Sequence, residues 1–180
     1  MQDDKNKFDF YKLGRRDRDA SLSQIQQDEI HVQKILTFLK RESGIMTIAG
    51  NPGAGKTYIC KAIINDWIKN VYECRYMPAA HFISQIKSMI GEDYDTGAEV
   101  RRLCETKWLI IDDFGSSWSE WQGEIWYEVV NTRHENQLPT IITSNFLEYD
   151  MKIKCPRIHS RLKDKTNVFI EIKSHDKRQE

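Results

Sequence analysis

Gly50-Asn51-Pro52-Gly53-Ala54-Gly55-Lys56-Thr57 follows the pattern G-x-x-x-x-G-K-T, in which each part has a task at a phosphate. Gly50, Gly53 and Gly55 lack a Cβ, so the backbone can turn tightly and approach an anion. Successive N–H groups of such a loop form a concave nest for negative charge. A helix beginning near Gly55 adds the positive end of its dipole. Lys56 is placed to reach the β- and γ-phosphates of a nucleotide, and the Thr57 hydroxyl to bind Mg²⁺. Asn51, Pro52 and Ala54 complete the loop, and Tyr58 is the next residue beside the nucleotide.

Trp108-Leu109-Ile110-Ile111-Asp112-Asp113 is a second chemical centre. Four apolar residues read as a buried strand with two carboxylates at its C-terminal end, where open α/β sheets bind ligands. Asp112 can hold Mg²⁺ directly or through water. Asp113 is placed to orient or deprotonate an attacking water. Pro139-Thr140-Ile141-Ile142-Thr143-Ser144-Asn145 reads as another strand of this kind. Its terminal amide can bond a γ-phosphate or the attacking water, although Asn at a strand end is usually a turn residue. A placement equivalent to that of Asp112 favours function.

These groups need a scaffold. Ile45 to Ala49 is short, apolar and β-branched, like a buried strand. Ile59, Ala62, Ile63, Trp67 and Ile68 have helical spacing and predict a helix from Tyr58 to Lys69. Ile25, Ile30, Ile35, Leu36 and Leu39 predict a helix ending near Arg41, capped by Ser21 or Ser23. Cys74 to Met77 is a weak strand ended by Pro78. Helices are expected over Ala79 to Ile90 and, capped by Thr96, over Gly97 to Glu105, with Gly91 as the break. Trp118 to Glu135 reads as a helix with Trp121, Ile125, Trp126, Val129 and Val130 on its core face; Trp118, near the loop, is left open as a stacking residue. Pro156 to Leu162 is a short helix carrying Arg157 and Arg161 one turn apart, and Asn167 to Ile172 the last strand. Strands alternating with helices imply a parallel sheet covered on both faces, with right-handed crossovers.

The chain has 180 residues and zero formal net charge, which argues for one domain and against a global attraction to nucleic acid. The charge is uneven. Gly91 to Val130 holds ten acids and three bases; Met151 to Glu180 holds nine bases and four acids. Either a local nucleic-acid or subunit contact or an ordinary mixed surface fits this. Cys60, Cys74, Cys104 and Cys155 are scattered without a C-x-x-C pair, as expected of reduced thiols in a cytoplasmic protein. No apolar run reaches membrane-spanning length, and the opening residues are too polar for a signal peptide. Residues 1–20 are expected to be an arm, either a solvated tail or a docking segment anchored by Phe8, Phe10 and Tyr11, ahead of a domain over residues 21–180.

Gly50 to Thr57, Leu109 to Gly115 and Thr140 to Asn145 resemble the Walker A, Walker B and sensor 1 motifs of AAA+ ATPases. Tyr94 to Glu99 leading through Leu103-Cys104, Leu138 to Asn145, and Arg157 to Leu162 resemble the DnaC/DnaI-type replicative helicase loaders more closely. The resemblance implies an α/β P-loop NTPase of AAA+ type, a five-stranded parallel sheet of order 5-1-4-3-2, and no separate lid after Ile172. It implies hydrolysis of ATP with Mg²⁺. It makes Arg161 an arginine finger acting in a neighbouring subunit of an ATP-dependent homo-oligomer, and Arg178 a sensor 2 arginine. The paired helices from Ala79 to Glu105 match an insertion that faces single-stranded DNA, with Lys87, Arg101 and Arg102 as phosphate contacts and Phe82 as either a stacking or a core residue.

Loaders also carry an N-terminal helicase-gripping domain, for which little chain precedes Ile45. Either the arm makes that contact or the partner differs, as in a compact phage or mobile-element loader. An IstB-like transposition helper, partnered by a transposase, shares the Ile-Asp-Asp-Phe-Gly run. Two other classes stay open: a small-molecule P-loop kinase, disfavoured because two aspartates plus Asn145 suit water activation, and an ATP-gated binding module that does not hydrolyse.

Overall fold

The computed structural model describes residues 19–25, 27–70, 74–90 and 95–172. Most of the expected arm, together with Gly91, Tyr94 and Arg178, lies outside the described residues.

The apolar runs form five parallel strands: β1 (Ile45–Gly50), β2 (Cys74–Pro78), β3 (Trp108–Phe114), β4 (Thr140–Ser144) and β5 (Val168–Ile172). Their order is β2-β3-β4-β1-β5, the expected order read from the other edge. Strands covered on both faces read as continuous apolar runs rather than alternating ones. The run in β3 divides accordingly. Leu109 and Ile111 enter one core with Phe82, Trp126 and Val129; Trp108 and Ile110 enter the other with Phe38, Ile63 and Trp67.

Helices α1 (Glu29–Arg41) and α2 (Lys56–Asn70) supply the second core. Helices α3 (Ala79–Met89), α4 (Thr96–Glu105), α5 (Glu120–Glu135), α6 (Glu148–Lys154) and α7 (Pro156–Leu162) supply the first. Two helices stand between β2 and β3, as the spacing predicts. Helix α6 has no counterpart in the sequence reading.

Several local expectations are corrected. Ser21 caps a 3-10 turn over Leu22–Gln24, not α1, which starts after Asp28. Asp95, not Thr96, caps α4: its carboxylate accepts from the Ala98 N–H at 3.1 Å. Arg101 and that N–H hold the Asp95 carboxyl below its usual range. Helix α5 begins after Ser119, so Trp118 sits in the preceding loop, where it packs on Phe114 and Phe146. Trp121 is 40% exposed rather than on the core face. Ile30 and Ile90 are also exposed.

One buried side chain binds the sheet's N-terminal edge. Arg133, on α5, is fully buried. Its guanidinium donates to the carbonyls of Leu103 and Thr106 at 2.7 Å, Pro139 at 3.0 Å, and Cys104 and Lys107 at 3.3 Å, and to Thr140 Oγ1 at 2.7 Å. A planar fork of donors suits such a set of carbonyls, which a lysine could not match. Burial lowers its pKa to about 10, so it stays charged at neutral pH. Arg133→Leu is expected to lower unfolding stability by more than about 3 kcal/mol, since each buried acceptor left unpaired costs about 1–3 kcal/mol. Arg133→Lys should recover only part of this. Urea denaturation of both variants checks it.

Candidate nucleotide site

All five strands point their C-terminal ends the same way, and the loops there enclose a cleft of about 1070 Å³. Pro52, Gly53, Gly55, Lys56, Thr57, Tyr58, Asp112, Asp113 and Asn145 line it. So do Gln24, Ile25, Gln27, Pro78 and Thr143, which the sequence reading did not select.

The loop after β1 carries the conformations its glycines allow. Gly53 has φ 80° and Gly55 φ 87°, left-handed values that a side chain would strain. Gly50 has a further reason to be glycine. A Cβ there would stand 2.6 Å from the carbonyl oxygen of Ile172, so glycine at this position lets β5 pack beside β1. Ala54 N–H donates to the Asn51 carbonyl and tightens the turn. Lys56 is 7% exposed, and its ammonium donates to the carbonyls of Gly50 at 2.7 Å and Asn51 at 2.8 Å. Helix α2 starts at Lys56, two residues earlier than its apolar stripe predicts. The exposed Thr57 is therefore in its first turn, facing the cleft.

The two aspartates have different surroundings. Asp112 is 4% exposed and held by three hydroxyls. Thr143 Oγ1 donates to Oδ1, Thr57 Oγ1 lies 3.3 Å from the same oxygen, and Tyr76 OH donates to Oδ2 at 2.7 Å. Asp113 is half-buried on a bulge: β3 has one residue more than β4 between the pairs Ile111–Ile142 and Phe114–Ser144. Its φ of 59° is left-handed. The strain is held from both sides. Asp113 N–H donates to Thr143 Oγ1 at 2.9 Å, and the Asn145 amide donates to Asp113 Oδ1 at 2.8 Å.

Thr57 and Asp112 offer hard oxygen donors 3.3 Å apart, a set that fits Mg²⁺ shared with a nucleotide's phosphates. Bound there, the ion would neutralise phosphate charge. Beneath the site, burial and then the Asp112 charge push the Cys60 thiol well above its usual pKa and keep it protonated. Cys60, Cys74, Cys104 and Cys155 are all buried and free.

The segment before α1 forms one wall of the cleft. Gln27 donates to the Ala54 carbonyl at 2.9 Å, Tyr58 OH to Gln24 at 3.1 Å, and Asn65 to the Ala20 carbonyl at 2.9 Å. Only the long-range packing of this segment on α2 reveals the role.

Other expected residues lie elsewhere. Phe82 is core, 1% exposed and 5.2 Å from Trp126 between ring centroids, so it is no stacking platform. Arg101 pairs with Asp95 at 2.5 Å, and Arg102 pairs with Glu99. The Lys87 ammonium stands 5.9 Å from the centroid of the exposed Trp121 ring. Arg161 is near the opposite end of the sheet. Asn167 bonds both the Arg161 carbonyl and the N–H of Ile45, the first residue of β1. The Arg161 guanidinium donates to Asn131 at 2.7 Å and reaches Tyr127 OH at 3.5 Å. Arg157 lies 3.7 Å over the Tyr127 ring and pairs with Glu124 at 3.2 Å.

A five-stranded sheet of this order, a glycine loop opening α2 and acids at the end of β3 define a P-loop ATP-binding protein of AAA+ type. A profile described as IstB-like ATP binding protein matches residues 15–166. The chain belongs to this IstB-like ATP-binding family, and its fold is that of the DnaC/DnaI-type AAA+ proteins. The replicative helicase loader DnaI of Bacillus subtilis (strain 168) is 28% identical over 127 residues, 67% of this chain and 40% of that protein. The uncharacterized protein YqaM of the same organism is 28% identical over 137 residues, 69% of this chain and 42% of that protein. The chain thus matches less than half the length of these curated relatives.

Among solved structures, a crystal structure of the DnaC helicase loader aligns with TM-score 0.72 and 22% identity, over 88% of this chain and 99% of that one. A DnaI structure aligns with TM-score 0.68 and 22% identity, over 92% and 94%. The replication initiator DnaA bound to AMPPCP and single-stranded DNA aligns with TM-score 0.75 and 18% identity, over 91% and 51%. These likenesses establish the fold. Among the described residues, no helix is long and apolar enough to cross a membrane.

Lys56→Ala is expected to abolish tight ATP binding by removing the buried cation of the phosphate loop. Asp113→Asn should retain binding and lose turnover, because it spares Asp112. Binding of a fluorescent ATP analogue and phosphate release measure the two effects; parental turnover by Asp113→Asn would refute the role given to Asp113.

Proposed function

We propose that the chain hydrolyses ATP to ADP and phosphate as a DNA-replication accessory protein, a loader that engages single-stranded DNA and a replicative helicase. The observation that carries the hydrolytic reading is the meeting of Thr57, Asp112, Asp113 and Asn145 around one cleft. Thr57 and Asp112 would hold Mg²⁺. Asp113 would accept a proton from the attacking water, with Asn145 fixing its orientation and offering a second amide hydrogen to the γ-phosphate. The sequence likeness to a replicative helicase loader supports the cellular role. The IstB-like match favours a second reading in which the partner is a transposase. Pull-downs with candidate helicases and transposases, in ATP and in ADP, decide between them.

Arg161 would act on ATP in a neighbouring subunit. Its place near the far end of the sheet keeps it from its own nucleotide, and its hydrogen-bond partners are the neutral Asn131 and Tyr127. Head-to-tail contacts of this kind build rings or open helices. Arg161→Ala and Lys56→Ala are each expected to be inactive alone, the finger being worth roughly 10³–10⁵ in rate. Mixed, they should regain partial ATPase activity as an intact finger meets an intact loop. A mixture that stays inactive although the variants associate ends the trans reading.

For DNA, the supporting feature is Trp121, exposed beside the Lys87 ammonium, with Arg101 and Arg102 on α4 as further phosphate contacts. Trp121→Ala should weaken single-stranded DNA binding by about 1–3 kcal/mol. Charge reversal at Lys87, Arg101 and Arg102 should flatten the salt dependence. Unchanged affinity and salt slope would remove this surface from the proposal.

A further inference from the structure

Tyr76 takes no part in the nucleotide pattern, yet its hydroxyl reaches the Asp112 carboxylate. It stands on β2 opposite Ile110, two residues before Pro78, which is opposite Asp112. From there the phenol donates to Asp112 Oδ2 at 2.7 Å. The other carboxylate oxygen receives the Thr143 hydroxyl and lies 3.3 Å from Thr57 Oγ1. A carboxylate turns easily about its last torsion, which is broad and two-fold. With Oδ2 bound to Tyr76, that rotation is stopped and Oδ1 is kept beside Thr57.

The phenol is itself held. Lys61 is one turn beyond Thr57 on α2 and only 6% exposed. Its ammonium sits 4.0 Å from the centroid of the Tyr76 ring. A cation over the ring face is attracted to it and fixes the ring's position. By drawing electron density from the ring, it also makes the phenol a stronger donor.

We propose that Tyr76, seated under Lys61, is a positioning residue that orients the Asp112 carboxylate and thereby sets the affinity of the site for its divalent cation. This rests on the reading of Thr57 and Asp112 as the metal ligands. Outer partners of ligating carboxylates act on the metal in this way, and losing one costs roughly 10–100-fold in metal affinity.

Tyr76→Phe tests it, because the ring, its packing and the Lys61 contact all remain. Mn²⁺ binding to the full chain with ADP is followed by electron paramagnetic resonance, beside nucleotide binding in EDTA and metal-free thermal unfolding. Tyr76→Phe should weaken Mn²⁺ binding roughly 10–100-fold, with EDTA nucleotide affinity near the parent and the metal-free melting temperature lowered by no more than the loss of one hydrogen bond to a buried carboxylate explains. Thr57→Ala, which removes a ligand, is the control. If Thr57→Ala weakens Mn²⁺ and Tyr76→Phe does not, the positioning role is overturned and the nucleotide site stands. If neither weakens it, the ligand assignment falls and takes the proposal with it. If Tyr76→Phe lowers metal-free stability and EDTA binding as much as Mn²⁺ binding, Tyr76 is a packing residue only.

Discussion

The buried guanidinium of Arg133 is the constraint from which the site's geometry follows. It joins the end of α4, through Leu103 and Cys104, and the turn into β3, through Thr106 and Lys107, to the start of β4, through Pro139 and Thr140. Its partners are carbonyls and a hydroxyl, so one desolvated charge is spread over many dipoles rather than set against one carboxylate. Burial of a charge is tolerable only when its donors are satisfied. The arrangement locks where β3 and β4 enter the sheet, with Leu109 opposite Thr140. Everything at the far ends inherits that register. Thr143 meets Asp112 and the Asp113 backbone because the strands were already aligned at Leu109 and Thr140.

The far end is built almost wholly of short oxygen contacts. Hydroxyls of Tyr76, Thr57 and Thr143 converge on Asp112, and the Asn145 amide on Asp113. Tyr76 comes from β2, Thr57 from α2, and Thr143 and Asn145 from β4 and the bend just after it, so the carboxylates are held by the tertiary fold and not by their own loop. A group oriented in advance costs no reorganisation when charge develops beside it. The left-handed Asp113 backbone is kept by the same contacts.

Much of this was legible. The glycine loop has a fixed spacing, and both-face burial leaves unbroken apolar runs, so β1, β3, β4 and β5 announce themselves. The strand order came from family resemblance, since no local pattern encodes it. What escaped was long-range. Arg133 reads as an ordinary polar residue near a helix end, and only the fold brings two turns to it. Tyr76 lies on a weak strand, and its hydroxyl leaves no periodic signal. Gln24, Ile25 and Gln27 look like a helix approach until α2 is packed beneath them. Trp121 was misplaced because it sits at the rim of the apolar arc of α5, where spacing cannot separate core from surface.

The bulge in β3 has a consequence for how this chain tolerates change. In a regular strand neighbouring residues face opposite sides of the sheet, so Asp112 and Asp113 could not both serve one cleft. The extra residue breaks that parity at a single step, between Ile111 and Phe114. Substitutions along the strand are therefore errors of size, which repacking can absorb. An insertion or deletion between Arg133's anchor at Lys107 and the bulge is an error of phase. It would turn every later side chain over and exchange the buried ligand for its neighbour. Length, more than composition, is the inherited property of this stretch.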